Sequence, residues 1–157
     1  QNFTFINSDY IKIFVLSMIP ITELRISIPF GILYLKLNWI SVVISSIIGN
    51  ILIGILIIYI VGPIMNRLLD FKFFNKIISY IFQRTQVKGE MIDRLKFYGL
   101  IVFIGIPLPF TGVWTGALAA YLFGISKTKS IYGVILGVLL SAIIVTILSL
   151  LGYNLLK

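Results

Sequence analysis

Glu23 and Arg25 stand two residues apart in the stretch Ile19-Pro20-Ile21-Thr22-Glu23-Leu24-Arg25-Ile26-Ser27-Ile28-Pro29-Phe30-Gly31, which is otherwise largely apolar. A run of this kind can enter a bilayer, where an acidic or basic side chain costs roughly 2.5 to 3.5 kcal/mol on insertion scales. Both charges must therefore be covered by protein, by water or by each other. Pro20 and Pro29 each remove a helical N–H and crowd the preceding turn, so the backbone between them is expected to break or unwind, with Gly31 as a further breaker. Non-helical backbone at membrane depth survives only against protein or a wet cavity, which makes residues 19 to 31 one half of an intramembrane polar site. A guanidinium matches a phosphate bidentately and a broken helix start adds N–H donors, so Arg25 is the candidate anchor for an anionic group. Glu23 is the candidate proton site, with Thr22 and Ser27 as flanking hydroxyls. The competing role for the pair is a buried clamp that holds two segments together with no ligand. On a continuous helix residues two apart diverge, whereas in an extended segment they share a face, so pairing of the two charges depends on the backbone.

The second half of such a site is Ile106-Pro107-Leu108-Pro109-Phe110-Thr111-Gly112-Val113-Trp114-Thr115-Gly116-Ala117. Pro107, Pro109, Gly112 and Gly116 are breakers that an ordinary lipid-facing helix does not carry together. Thr111, Trp114 and Thr115 are its polar or amphipathic members and are expected to line the wall opposite Arg25. Asn50, in the middle of an apolar run, is either a helix-packing hydrogen bond or a supporting donor to the same site.

The elements that must hold these residues are set by composition. Of the 157 residues 59% are hydrophobic and 11% are charged, and the mean hydropathy is +1.09. A soluble domain carries about 25% charged residues, so the chain is an all-α integral membrane protein with room for about four to six segments. It contains no Cys and no His. Disulfides, Cys/His metal sites, thiol nucleophiles and imidazole bases are thereby excluded, and with a single membrane acid no catalytic constellation assembles. Neither an enzyme nor a cofactor is expected; proton coupling through Glu23 is the one coupling the residues offer. The net charge of +8 would suggest nucleic acid, but seven of the thirteen Lys/Arg lie between Arg67 and Lys96, beside predicted spans. Clusters so placed mark the cytoplasmic side and meet anionic lipid headgroups.

In chain order, Tyr10 to Lys36 is a proline-interrupted segment, either a kinked crossing or a hairpin that enters and leaves on one face. Asn38 to Gly62 is a clean span with Trp39 and Tyr59 near its ends, and Pro63 is expected to stop it. Ile64 to Phe82 reads as an amphipathic helix lying on the membrane surface. Residues 64 to 97 thus form a basic cytosolic connector, with a break at Gly89. From Tyr98 the pattern restarts, since Tyr98 leads to Pro107 much as Tyr10 leads to Pro20, each proline follows Ile, and a clean span closes each half. The chain is therefore a single membrane domain, 1 to 157, with repeat one over 10 to 62 and repeat two over 98 to 157. Small residues at four-residue spacing (Ser41, Ser45, Gly49; Gly112, Gly116, Ala120; Gly133, Gly137, Ser141) are seams for close helix packing, within one chain or between two copies. Full crossing and re-entrance of both broken segments each give nine Lys/Arg inside against three outside, so charge does not choose between them. Re-entrance is favoured because it inverts the two halves about an axis in the membrane plane and brings the broken segments face to face.

The pair Pro20-x-x-Glu23-x-Arg25-x-x-x-Pro29-x-Gly31 and Pro107-x-Pro109-x-Thr111-Gly112-x-Trp114-Thr115-Gly116 resembles the putative small multidrug export proteins over nearly the whole chain. That layout in turn resembles the DedA superfamily of SNARE-associated, VTT-like membrane proteins. The resemblance implies paired re-entrant hairpins, a plasma-membrane location and movement of phospholipids or lipid-linked phosphates. It also implies an acid in the first hairpin and arginines in the second, and here the sequence departs, since Glu23 and Arg25 share the first segment and the second has no charge. The expectation is a small transporter of an anionic lipid or lipid-linked phosphate. Export of small lipophilic molecules, or a non-transporting scaffold, is the alternative.

Overall fold

The computed structural model describes residues 8 to 85, 90 to 109 and 111 to 155, and the expected break at Gly89 lies outside them. Among these residues the chain is all helical: α1 (Ser8–Met18), α2 (Glu23–Pro29) running into a π-helical turn (Phe30–Tyr34), α3 (Trp39–Leu69), α4 (Lys72–Thr85), α5 (Glu90–Gly105), α6 (Val113–Leu122) and α7 (Lys127–Leu155). Two helices, α3 and α7, are long and apolar enough to cross a membrane, with mean hydropathies of 2.5 and 2.9 over their best windows.

Local chemistry sets the ends. Asn38 caps α3, its Oδ1 accepting from the Ile40 and Ser41 amides at 3.0 and 3.3 Å. Gly124, at φ +69°, closes α6 in a Schellman pattern, with Ile125 N–H on Ala120 O and Gly124 N–H on Tyr121 O. The π turn ends on Lys36, also left-handed at φ +51°.

The packing follows from where glycines let backbones close. A Cβ at Gly31 would lie 2.7 Å from Val42 and 3.1 Å from Ile13, so the far end of the α2 segment sits on the first part of α1 and the start of α3. The α5–α6 pair is likewise antiparallel: Gly116 packs on Ile104, and Lys96 Nζ donates to Phe123 O at 2.9 Å. The long helices run alongside these pairs. Early α3 meets α1 at Gly49 and late α3 meets α6 at Gly54 and Gly62, against Val113 and Tyr121. Helix α7 lies parallel to α5, with Gly133 on Leu100 and Gly137 on Ile104. It is antiparallel to α3, because Gly54 touches Val134 and Lys127 Nζ lies 5.3 Å from the Tyr59 ring centre. The apolar interior runs continuously through both halves, from Ile13, Leu24 and Val42 to Ile104, Val113 and Val138.

Four expectations are corrected. Pro63 does not stop the long span, which continues to Leu69. Proline costs the helix one hydrogen bond and one steric adjustment, and thirty-one residues of otherwise intact helix tolerate both. The amphipathic element is correspondingly shorter: 64 to 69 end α3, and only α4 is a separate helix, with Phe73, Phe74, Ile77 and Tyr80 exposed. Pro29 lies inside α2, and the helix answers it by widening into the π turn that holds Gly31, so neither residue unwinds the chain. Gly116 is an interior residue of α6, where its role is contact with Ile104.

Candidate functional site

Helix α1 stops at Met18 and α2 starts at Glu23, so the first bend spans Ile19, Pro20, Ile21 and Thr22. Pro20 supplies no amide there, and the Thr22 hydroxyl donates to Leu16 O, a second bond on a carbonyl that also accepts from the Ile19 amide at 3.3 Å. Glu23 then takes φ +42°, a conformation rare for a residue with a Cβ and costing of order 1–3 kcal/mol. That backbone aims its carboxylate at the opposite half of the molecule. Oε1 accepts from the amides of Val113 at 3.1 Å and Trp114 at 3.4 Å, the first two residues of α6. A helix start presents unpaired N–H groups and a partial positive charge, and these, with the charge of Arg25 two residues on, hold a carboxylate that is 5% exposed. Gly112 makes the approach possible: a Cβ there would overlap the Glu23 carboxylate, and φ +145° is a glycine conformation.

Arg25, two residues on, bonds to other groups. Its Nη1 donates to Leu108 O, and Nη2 donates to Thr111 Oγ1 at 2.9 Å and to Ile106 O at 3.4 Å. The Thr111 hydroxyl is within 2.8 Å of Leu108 O and 3.0 Å of Ile106 O, so carbonyls, hydroxyl and guanidinium form one network. Arg25 Nε is buried and has no hydrogen-bond partner among the described residues. Trp114 closes the join by donating from Nε1 to Met18 O at 3.0 Å.

These contacts border a cleft of about 460 Å3, walled by Glu23, Arg25, Thr111, Trp114 and Thr115 with Pro20, Pro107 and Pro109. The two breaker segments singled out from the sequence therefore meet. Thr22, Ser27 and Asn50 do not line the cleft. Ser27 Oγ shares a hydrogen bond with Ser46 Oγ at 2.8 Å, fixing α2 on α3, and both are fully buried. Asn50 lies one turn beyond Ser46 on the same face, with neither amide atom partnered among the described residues. The register that sets Gly31 on Val42 and Ser27 on Ser46 brings Asn50 to the level of Glu23.

Sequence reading missed the most important partners, the Val113 and Trp114 amides and the carbonyls of Met18, Ile106 and Leu108. These are backbone groups, which no residue type advertises; the nearest signal was Gly112 directly before an apolar helical run. It also left open whether Glu23 and Arg25 serve one another, and here each bonds to the far segment instead.

A family model described as Putative small multi-drug export protein matches residues 23–144, which takes in the charged part of the first breaker segment from Glu23 on, the whole second segment and everything between them. The chain belongs to that family. The match begins at Glu23 itself and covers α3, α5, α6 and most of α7. No curated protein and no solved structure matched the chain. With two long apolar helices in a family of export proteins, the chain is a membrane protein.

Proposed function

We propose that this export-family protein is a small transporter that moves an anionic amphiphile, an anionic lipid or lipid-linked phosphate, through the cleft between its two bends. The observation that carries the reading is the division of labour at the cleft. Glu23 accepts from the α6 amides, while the Arg25 charge is met by neutral carbonyls and a hydroxyl, with Nε unpartnered among the described residues. A phosphate is a far stronger acceptor than a carbonyl, so it exchanges for these contacts at modest cost. Proton uptake by Glu23 would leave the cleft net positive and favour anion entry; proton loss would restore neutrality and favour release.

Alternating access then has a simple mechanical form. Each antiparallel pair is a re-entrant hairpin, the two halves are related by an in-plane pseudo-two-fold axis, and the bends meet at mid-membrane. The Lys96–Phe123 tie at the foot of one pair, the Gly31–Ile13 contact at the foot of the other, and opposed α3 and α7 support this reading. It is also the layout that the likeness to the DedA superfamily implies. The basic segment containing α4 faces the cytoplasm, and the membrane is the plasma membrane.

The second reading, export of small lipophilic molecules, is favoured by the family description and by the apolar walls of the cleft, Ile21, Ile26 and Leu108. Reconstituted vesicles loaded with labelled anionic lipid or with a lipophilic cation separate the two. Arg25→Ala is expected to abolish lipid movement and Arg25→Lys to restore it in part, because the planar fork is lost. Cation movement that survives Arg25→Ala would decide for the second reading.

A further inference from the structure

A second and larger concavity, about 740 Å3, opens where the end of α4 meets the α5–α6 pair. It does not include the charged bends. Its floor is Gly99, Leu100, Ala119 and Ala120, and its sides are Phe103 and Phe123. Among the described residues, the charged ones that border it are Arg84 and Lys96, both basic. The size falls in the range of small-molecule sites, and the combination of an apolar trough with a cationic lip matches one chemistry, a hydrocarbon chain ending in an anionic group.

Gly99 points the same way. Glycine inside a helix costs about 1 kcal/mol relative to Ala, and at Gly116, Gly133 and Gly137 close neighbours account for it. At Gly99 a Cβ would meet nothing within 4 Å, so helix packing does not require glycine there. What the missing side chain does is keep the trough open. The lip sits at the foot of the α5–α6 pair, beside Phe123 O, and Tyr80 lies under the Arg84 guanidinium at 5.2 Å. Aromatic and basic residues together at one level are the composition of a headgroup layer.

We propose that this trough is a binding site for an anionic phospholipid, its acyl chain on Gly99, Leu100 and Phe103 and its phosphate at Arg84 and Lys96. The proposal is independent of what the central cleft transports. The test is the melting temperature of the full chain in nanodiscs of pure phosphatidylcholine and in nanodiscs containing phosphatidylglycerol. The wild type is expected to melt about 2 to 4 °C higher in the anionic bilayer. Gly99→Phe fills open space on a helix and is expected to fold yet lose the gain; Arg84→Gln should lose it too. Gly152→Phe, at another position with nothing within 4 Å, should keep it. Equal melting of the wild type in the two bilayers, or a gain retained by Gly99→Phe, overturns the proposal. A Gly99→Phe effect on oligomeric state alone, equal in both bilayers, overturns it in favour of a second copy in the trough.

Discussion

The two bends that meet at the centre are built on opposite plans. The first, residues 19 to 22, is tight and leads into a helix whose first turn carries both charges; the second, 106 to 112, is longer and carries none. What the second offers is backbone: carbonyls at Ile106 and Leu108, and the open amides of Val113 and Trp114. A buried charge needs compensation, and hydrogen bonds from neutral dipoles supply part of it. Neither bend is a site alone. The first has ions without ligands, and the second has ligands without an ion.

The harshest way to break this complementarity is Gly112→Ala. It forces a Cβ into the Glu23 carboxylate and a φ of +145° on an L residue, and it is expected to cost roughly 3 kcal/mol or more. Gly31→Ala is the matched control in the other half, since its Cβ meets side-chain methyls of Val42 and Ile13 rather than a carboxylate and carries no positive φ. About 1 to 3 kcal/mol is expected there. Thermal melts in detergent compare the two; a Gly112 variant as stable as the Gly31 variant would mean that the bends are not locked by this contact.

Next in size are substitutions of Glu23. Glu23→Ala leaves two amides at a buried helix start without an acceptor, for a loss of about 2 to 4 kcal/mol. Glu23→Gln keeps a carbonyl oxygen for Val113 and Trp114 and gives up only the charge assistance, about 1 to 2 kcal/mol. The split between transport and stability is the sharper reading. If Glu23 exchanges a proton, Gln should stop proton-driven movement while the protein still folds; if it is only a clamp, transport should fall no further than stability does.

How much of this was legible from residue types can be traced element by element. The positions of the bends were, because Pro20, Pro107, Pro109 and Gly112 concentrate where the chain turns. The two long helices were, because apolar runs of that length have few other fates. Pro63 and Pro29 misled for one reason: proline forbids its own hydrogen bond, but whether the helix ends depends on what both sides contribute, and α3 and the π turn show it continuing. The union of Glu23 with the start of α6 was not legible, since it links residues 90 apart through backbone amides. One sequence contains no pairing signal for such a contact. Nor does residue type reveal that Glu23 is left-handed, because that conformation is imposed by the bend.

The smallest test concerns how each half ends its inner helix. Both the α2 segment and α6 finish on a left-handed residue, but one uses Lys36 at φ +51° and the other Gly124 at φ +69°. A residue with a Cβ spends roughly 1 kcal/mol or more in this region that glycine does not. Lys36→Gly removes that steric cost but loosens the unfolded chain, so the net gain is expected to be a few tenths of a kcal/mol to about 1. Gly124→Ala runs the other way, with a loss of about 1 kcal/mol as the Schellman turn is strained. Lys36 is exposed, so neither its charge nor its packing should obscure the comparison. Melting in one detergent should therefore show opposite signs for the two substitutions. Equal and opposite shifts would mean that the two ends are equivalent turns carrying different residues, whereas a loss on Lys36→Gly would mean that the lysine side chain itself contributes to stability.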